Sequence, residues 1–239
     1  MRDRLEHLHE RVDHRVDEMI ADVKPHLRGW LHAATAPLTL AAGIVLIALS
    51  PTASTRIGSA VFTLSALVLF TVSAVYHRGR WSPGTHQLLK RLDHSNIFVL
   101  IAGSCTPFAL LLLEGGERWA MLAISWGGAL AGVFLKVVWL THPRWLSPPI
   151  YIALGWAPVF FLGDFLDGAR SLSGGLGVAV LVLVAVGGAL YTFGAVVYGV
   201  QRPNPWPRWF GFHEVFHSFT ILAFVTHYVG VSLATYSLR

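Results

Sequence analysis

The chain has 239 residues, of which 54% are hydrophobic and 13% charged, with a mean hydropathy of +0.56 and a formal net charge of +5. Soluble domains carry about 25% charged residues, so an ordinary soluble domain is excluded. The basic residues stand beside apolar segments, so the partner implied by the positive charge is a membrane rather than a nucleic acid.

Residues 1–28 hold seven acidic and six basic side chains. Leu5, Leu8, Val12, Val16, Met19, Val23 and Leu27 recur every three or four positions, which is the helical period. This predicts an amphipathic tail helix at the membrane surface or against the bundle, kinked or ended by Pro25. The mixed charges and the lack of an apolar core argue against a secretory signal peptide. The remainder, 29–239, reads as one transmembrane domain.

Seven stretches lack Asp, Glu, Lys and Arg: 29–55, 57–77, 94–113, 119–135, 145–163, 171–201 and 215–238. A bilayer-spanning helix needs roughly 20 apolar residues. The spacing predicts spans over 31–50, 57–77, 92–113, 119–140, 148–165, 176–199 and 212–234. The expected fold class is therefore all-α, a seven-helix polytopic bundle in the cell membrane. A β-barrel is excluded because the runs are long and show no alternation. Pro107 should bend the third span. Pro158 should interrupt the fifth, which begins after Pro148 and Pro149. Pro203, Asn204, Pro205 and Pro207 predict a stiff, extended link before the last span. Trp30, Trp81, Trp119, Trp139, Trp145, Trp206 and Trp209 lie near segment ends, as in an interfacial belt. Cys105 is the lone cysteine, so no intrachain disulfide is expected.

Orientation follows from the basic residues. Arg2, Arg4, Arg11, Arg15, Lys24, Arg28, Arg78, Arg80, Lys90, Arg91, Lys136, Arg144, Arg202 and Arg208 fall on one side, fourteen of the 18. Arg56, Arg118, Arg170 and Arg239 make four on the other. The positive-inside rule predicts a cytoplasmic N-terminus and an outer C-terminus.

Ionisable residues within spans are costly and mark function. His77 ends the second span, Asp93 and His94 begin the third, and His213, Glu214 and His217 begin the seventh. The topology brings these ends to the same, inner side of the bilayer. His213 and His217 are one helical turn apart, and His77 offers a third imidazole. Three neutral imidazoles and a water are a catalytic zinc pattern. Asp93 is either a fourth ligand or the base that holds the water. Ser73, one turn before His77, can reach the same water or a substrate carbonyl. Residues 213–217 also match the His-Glu-x-x-His signature of zinc peptidases. That reading is set aside because the pair opens a lipid-embedded helix. Glu214 remains a candidate base, a ligand-orienting group, or the partner of an adjacent basic loop.

Other polar residues carry structural expectations. Asn96, one turn after Asp93, is placed to orient it, and His94 is expected beside the site rather than on the metal. His227 lies about 15 Å along the helix from His217, so it is expected to pack or to line a cavity. His7, His9, His14, His26 and His32 are expected at the surface, as are His86 and His142 in loops or at the interface. Gly103, Ser104, Thr106 and Pro107 are expected to serve a helix bend, and Asp164 and Asp167 to be solvated.

Three motifs stand in order: Ser-Ala-Val-Tyr-His at 73–77, Leu-Asp-His-Ser-Asn-Ile-Phe-Val-Leu-Ile-Ala-Gly-Ser-Cys-Thr-Pro at 92–107 and Gly-Phe-His-Glu-Val-Phe-His at 211–217. Together they resemble the bacterial hemolysin III family, within the progestin and adiponectin receptor group, over roughly residues 25–235. Cys105 departs mildly from that pattern. The resemblance implies seven helices with a cytoplasmic N-terminus. It implies zinc near the inner leaflet on His77, His213 and His217, with Asp93 acting through water and Ser73 nearby. It also implies a distant relation to alkaline ceramidases, and hence amide hydrolysis. Three functions stay open: a zinc-dependent hydrolase of lipid amides or esters, a non-catalytic sensor or receptor-like protein with structural zinc, and a transporter or channel. The expected partners are membrane lipids and a lipid-like substrate or ligand.

Overall fold

The computed structural model describes residues 25–138, 146–172 and 175–239. Most of the predicted tail helix, together with His7, His9, His14, Trp139, His142 and Trp145, lies outside these residues. Among the described residues, seven helical segments are long and apolar enough to cross a membrane: Trp30–Ala48, Ala53–Arg78, Pro83–Leu112, Gly115–Val138, Ser147–Arg170, Leu176–Val200 and Phe212–Tyr236. The protein is therefore a multi-pass membrane protein, as a chain whose backbone groups must be satisfied inside hydrocarbon requires.

Local chemistry sets the helix ends. Thr52 and Thr55 exchange side-chain-to-backbone hydrogen bonds at 3.2 and 3.0 Å, a capping box that starts the second span. The third helix begins at Pro83, ahead of the expected residue 92. Ser82 caps its first turn and proline suits the first helical position. The added turns are mostly exposed, and they carry the helix beyond the apolar stretch. In the fifth span, Ser147–Gly155 is α-helical, Ala157–Phe161 is a 3-10 segment and Leu162–Arg170 is helical again. This is the interruption expected at Pro158.

The link before the seventh span differs from expectation. It is not extended throughout: Trp206 and Phe210 exchange backbone hydrogen bonds at 3.1 and 2.7 Å and close a compact turn. Asn204 Oδ1 then accepts the amide of Phe212 at 2.8 Å, at the start of the last helix.

The third span is the axis of the bundle. Some 72% of its apolar stretch is buried, against 22% for the first, fourth and sixth spans, which turn most of their surface to lipid. Neighbouring spans pack in pairs, one on two, two on three, three on four and six on seven. Phe62, Phe70 and Phe224 meet in the core, with ring centroids 5.1 and 5.3 Å apart. Leu38, Ile44, Phe134, Val178 and Phe193 face outwards. Trp30, Trp81, Trp119, Trp206 and Trp209 are exposed near segment ends, as the belt reading expects. Cys105 is a buried free thiol, and Asp164 and Asp167 are exposed.

Apolar area drives helix association weakly inside lipid, so close backbone approach matters more. At Gly168 a Cβ would strike the main-chain carbonyl of Leu112, which cannot rotate away, whereas Gly163 on the same helix faces open space. Gly168→Ala is expected to destabilise by about 1–3 kcal/mol. Gly163→Ala is expected to be neutral or slightly stabilising, because alanine is the better helix former. Thermal unfolding in detergent, followed by circular dichroism, separates the two.

Candidate metal centre

Three helix ends build the site. His77 lies in the last turn of the second span, and His213 and His217 lie in the first two turns of the seventh, which begins after Gly211. The three side chains are buried, and each presents one nitrogen within 4.8 Å of the others. His77 Nε2 and His213 Nε2 are 3.0 Å apart, and His217 Nδ1 is buried without a hydrogen-bond partner. Metal–nitrogen bonds of roughly 2.0–2.1 Å place the nitrogens of a tetrahedral site about 3.3 Å apart, so the donor set fits a small divalent ion. Imidazole donors suit first-row transition metals.

Asp93 stands beside this cluster, its Oδ2 3.8 Å from His77 Nε2. Ser73 is buried, and with Asp93 and His217 it lines a cavity of about 90 Å³. The cavity continues between the spans past Leu100 and Ile101 to Tyr191 and His227, with largely apolar walls.

Glu214 points elsewhere. One of its oxygens pairs with Arg28 Nε, and the other accepts the Gly211 amide at 2.8 Å. The basic partner is thus Arg28, in the stretch before the first span, rather than a residue of an adjacent loop. His26 and Leu27 add backbone hydrogen bonds to Arg208 and Trp209 at 3.0 and 3.2 Å. The stretch before the first span is thus tied to the turn before the last, beneath the histidines. Gly29 makes this possible: its φ is +82°, and a Cβ there would collide with His77.

His94 uses both ring nitrogens, on the Lys90 carbonyl at 2.7 Å and the Tyr198 hydroxyl at 2.9 Å, which keeps it off the cluster. Asn96 is buried, but its Nδ2 has no hydrogen-bond partner, so it does not tie Asp93 down. His26 and His86 are exposed as expected.

His32 is the correction. It was expected at the surface, but it is 2% exposed and stacks on His217 with centroids 3.7 Å apart. Neither of its ring nitrogens has a hydrogen-bond partner, and it lines the cavity. A signal was present in the sequence. His32, Thr39, Gly43 and Leu46 are the buried residues of the first span and fall on one helical face. The physical reason is that a helix which turns Leu38, Leu40 and Ile44 to lipid turns the opposite face, with His32, Thr39 and Gly43, inwards.

The sequence profile of the family described as Haemolysin-III related matches residues 21–228. The chain is 32% identical over 161 residues to the Hemolysin-3 homolog of Bacillus subtilis (strain 168), which covers 67% of this chain and 69% of that one. It is 30% identical over 193 residues to the Hemolysin-3 of Bacillus cereus, covering 80% and 82%.

The Arg28–Glu214 pair is expected to hold this end of the bundle together. Arg28→Ala would leave a fully buried carboxylate unpaired, a loss of about 3–5 kcal/mol in a buried setting. Because Arg28 is partly exposed, the lower end of that range is expected, read as a lowered midpoint of thermal unfolding in detergent. Glu214→Gln, which removes the buried charge itself, is expected to be milder.

Proposed function

The chain belongs to the haemolysin-III related family, and we propose that it is a zinc-dependent hydrolase of membrane lipids, cleaving an amide or ester bond. The observation that carries this reading is the convergence of three buried imidazoles, Asp93 and Ser73 at one end of an apolar cavity. The resemblance to the progestin and adiponectin receptor group, and through it to alkaline ceramidases, supports the same chemistry. Apolar walls suit an acyl chain, which the spans must part to admit because the enclosed space is about 90 Å³. Trp156 lines the cavity and is 51% exposed on the face of the bundle, which supports entry of a substrate from the bilayer. The distribution of Lys and Arg supports a cytoplasmic N-terminus, a tail over 1–28 on that side, and a reaction centre near the inner leaflet.

His77, His213 and His217 would hold the zinc ion. When bound, zinc supplies a Lewis acid that acidifies a water and polarises a carbonyl oxygen. The protein's own groups do the rest. Asp93 accepts a proton from the attacking water and returns it to the departing amine or alcohol. The Ser73 hydroxyl donates a hydrogen bond to the oxygen on which negative charge develops. Glu214, with both oxygens engaged, holds Arg28 and the Gly211 amide rather than moving a proton. The position of Asp93 outside the three-histidine set, 3.8 Å from His77, favours action on the water over direct ligation. A sensor with structural zinc remains the second reading. His217, with Asp93 and Ser73, lines the cavity, and that opening at one ligand favours turnover, because a purely structural ion is closed in by four protein ligands.

The test is release of fatty acid from an N-acyl sphingoid amide and from a matched ester by zinc-loaded protein in detergent. Asp93→Asn is expected to lower the rate about 10²- to 10⁴-fold with zinc content retained. Ser73→Ala is expected to lower it about 10²-fold. No release above that of His77→Ala with either substrate would overturn the hydrolase and leave the sensor.

A further inference from the structure

The far end of the cavity carries a second polar group of residues that the chemistry above does not use. Ser104 of the third span, Tyr191 of the sixth and His227 of the seventh all line it. His227 stands ten residues beyond His217, about 15 Å along the helix. Its Nε2 donates to the Val184 carbonyl at 3.3 Å, so Nδ1 carries a bare lone pair, and that atom is buried without a partner. The Tyr191 ring meets the His227 ring edge-on at 5.6 Å. The Ser104 and Tyr191 hydroxyls are neighbours that do not close a hydrogen bond of normal geometry on each other. Three unsatisfied polar atoms from three helices therefore surround one space inside a bilayer-embedded bundle. Each buried polar group left unpaired costs roughly 1–3 kcal/mol.

The donor and acceptor pattern selects the occupant. His227 Nδ1 needs a donor. The Tyr191 and Ser104 hydroxyls each have a proton to give. A carbonyl oxygen or an ether cannot donate to His227, and an ammonium cannot accept from Tyr191. A hydroxyl does both. We propose that Ser104, Tyr191 and His227 form a subsite for a hydroxyl group carried on the chain of the amphiphile whose head lies at the histidine cluster. The ligand class is thus a hydroxylated acyl lipid, a narrower set than lipids at large. This inference rests on the reading that the cavity takes an amphiphile. An ordered water offers the same chemistry and is the competing source of the O–H group.

The experiment compares octadecanoic acid with octadecanoic acid bearing a hydroxyl on the twelfth carbon. Both are titrated into the zinc-loaded, detergent-purified protein and read by native mass spectrometry and by thermal shift. The hydroxy acid is expected to bind about tenfold more tightly, as one or two added buried hydrogen bonds allow. Tyr191→Phe and Ser104→Ala are expected to erase most of that preference while keeping zinc content and binding of the plain acid. Equal binding of the two acids to the parent would overturn the subsite alone and leave it to water. Preference retained in both variants, or loss of the plain acid in both, would also overturn it. Binding of neither acid would overturn the subsite together with the amphiphile reading beneath it.

Discussion

A hydrocarbon bilayer offers no hydrogen-bond partner, so an ionisable group at membrane depth must be answered from within the protein or by a ligand. One end of this bundle gathers His77, His213, His217, His32, Asp93 and Glu214, all buried. Glu214 is answered completely, by Arg28 and by the amide of Gly211. The imidazoles are engaged less completely. His77 Nε2 and His213 Nε2 lie 3.0 Å apart, a distance that one ring's N–H bridges to the other ring's lone pair. His217 Nδ1 and both nitrogens of His32 have no partner. A metal ion held by His77, His213 and His217 would give those three rings a common partner with groups already in place.

The rest of the architecture serves that arrangement. The third span is the buried axis, and it sets Asp93 beside the cluster and Ser104 at the other end of the cavity. The stretch 25–29 turns through the left-handed conformation of Gly29 directly beneath His77. It is then fastened to the turn at 206–210 and to Glu214. The histidine end is thereby closed on the loop side, while the cavity runs the other way, between the helices. The cavity has apolar walls and polar groups at its two ends.

The spans were legible in the sequence because length and lack of charge report directly on the bilayer. So was the break at Pro158. The three histidines were legible for a different reason: only after the topology puts three helix ends on one side do residues 77, 213 and 217 become neighbours. Where local polar chemistry or long-range pairing decides, the sequence was less telling. Ser82 and Pro83 start the third helix well before its apolar stretch, a capping signal that hydropathy does not register. The Trp206–Phe210 turn overrode a proline-rich stretch that reads as extended. Arg28 finds Glu214 across 186 positions, a pairing no spacing rule contains. His32 was hidden because a lone histidine near the start of a span reads as interfacial, and only its alignment with Thr39 and Gly43 marks the inward face.

The central claim is that the converging imidazoles hold a metal ion. Elemental analysis of the detergent-purified protein, beside His77→Ala, His213→Ala and His217→Ala, tests it most directly. The account predicts about one zinc per chain in the parent, as a mononuclear three-histidine site requires, and its loss from each variant with the helical content preserved. A folded parent that contains no metal and takes up none in a competitive zinc titration would contradict it.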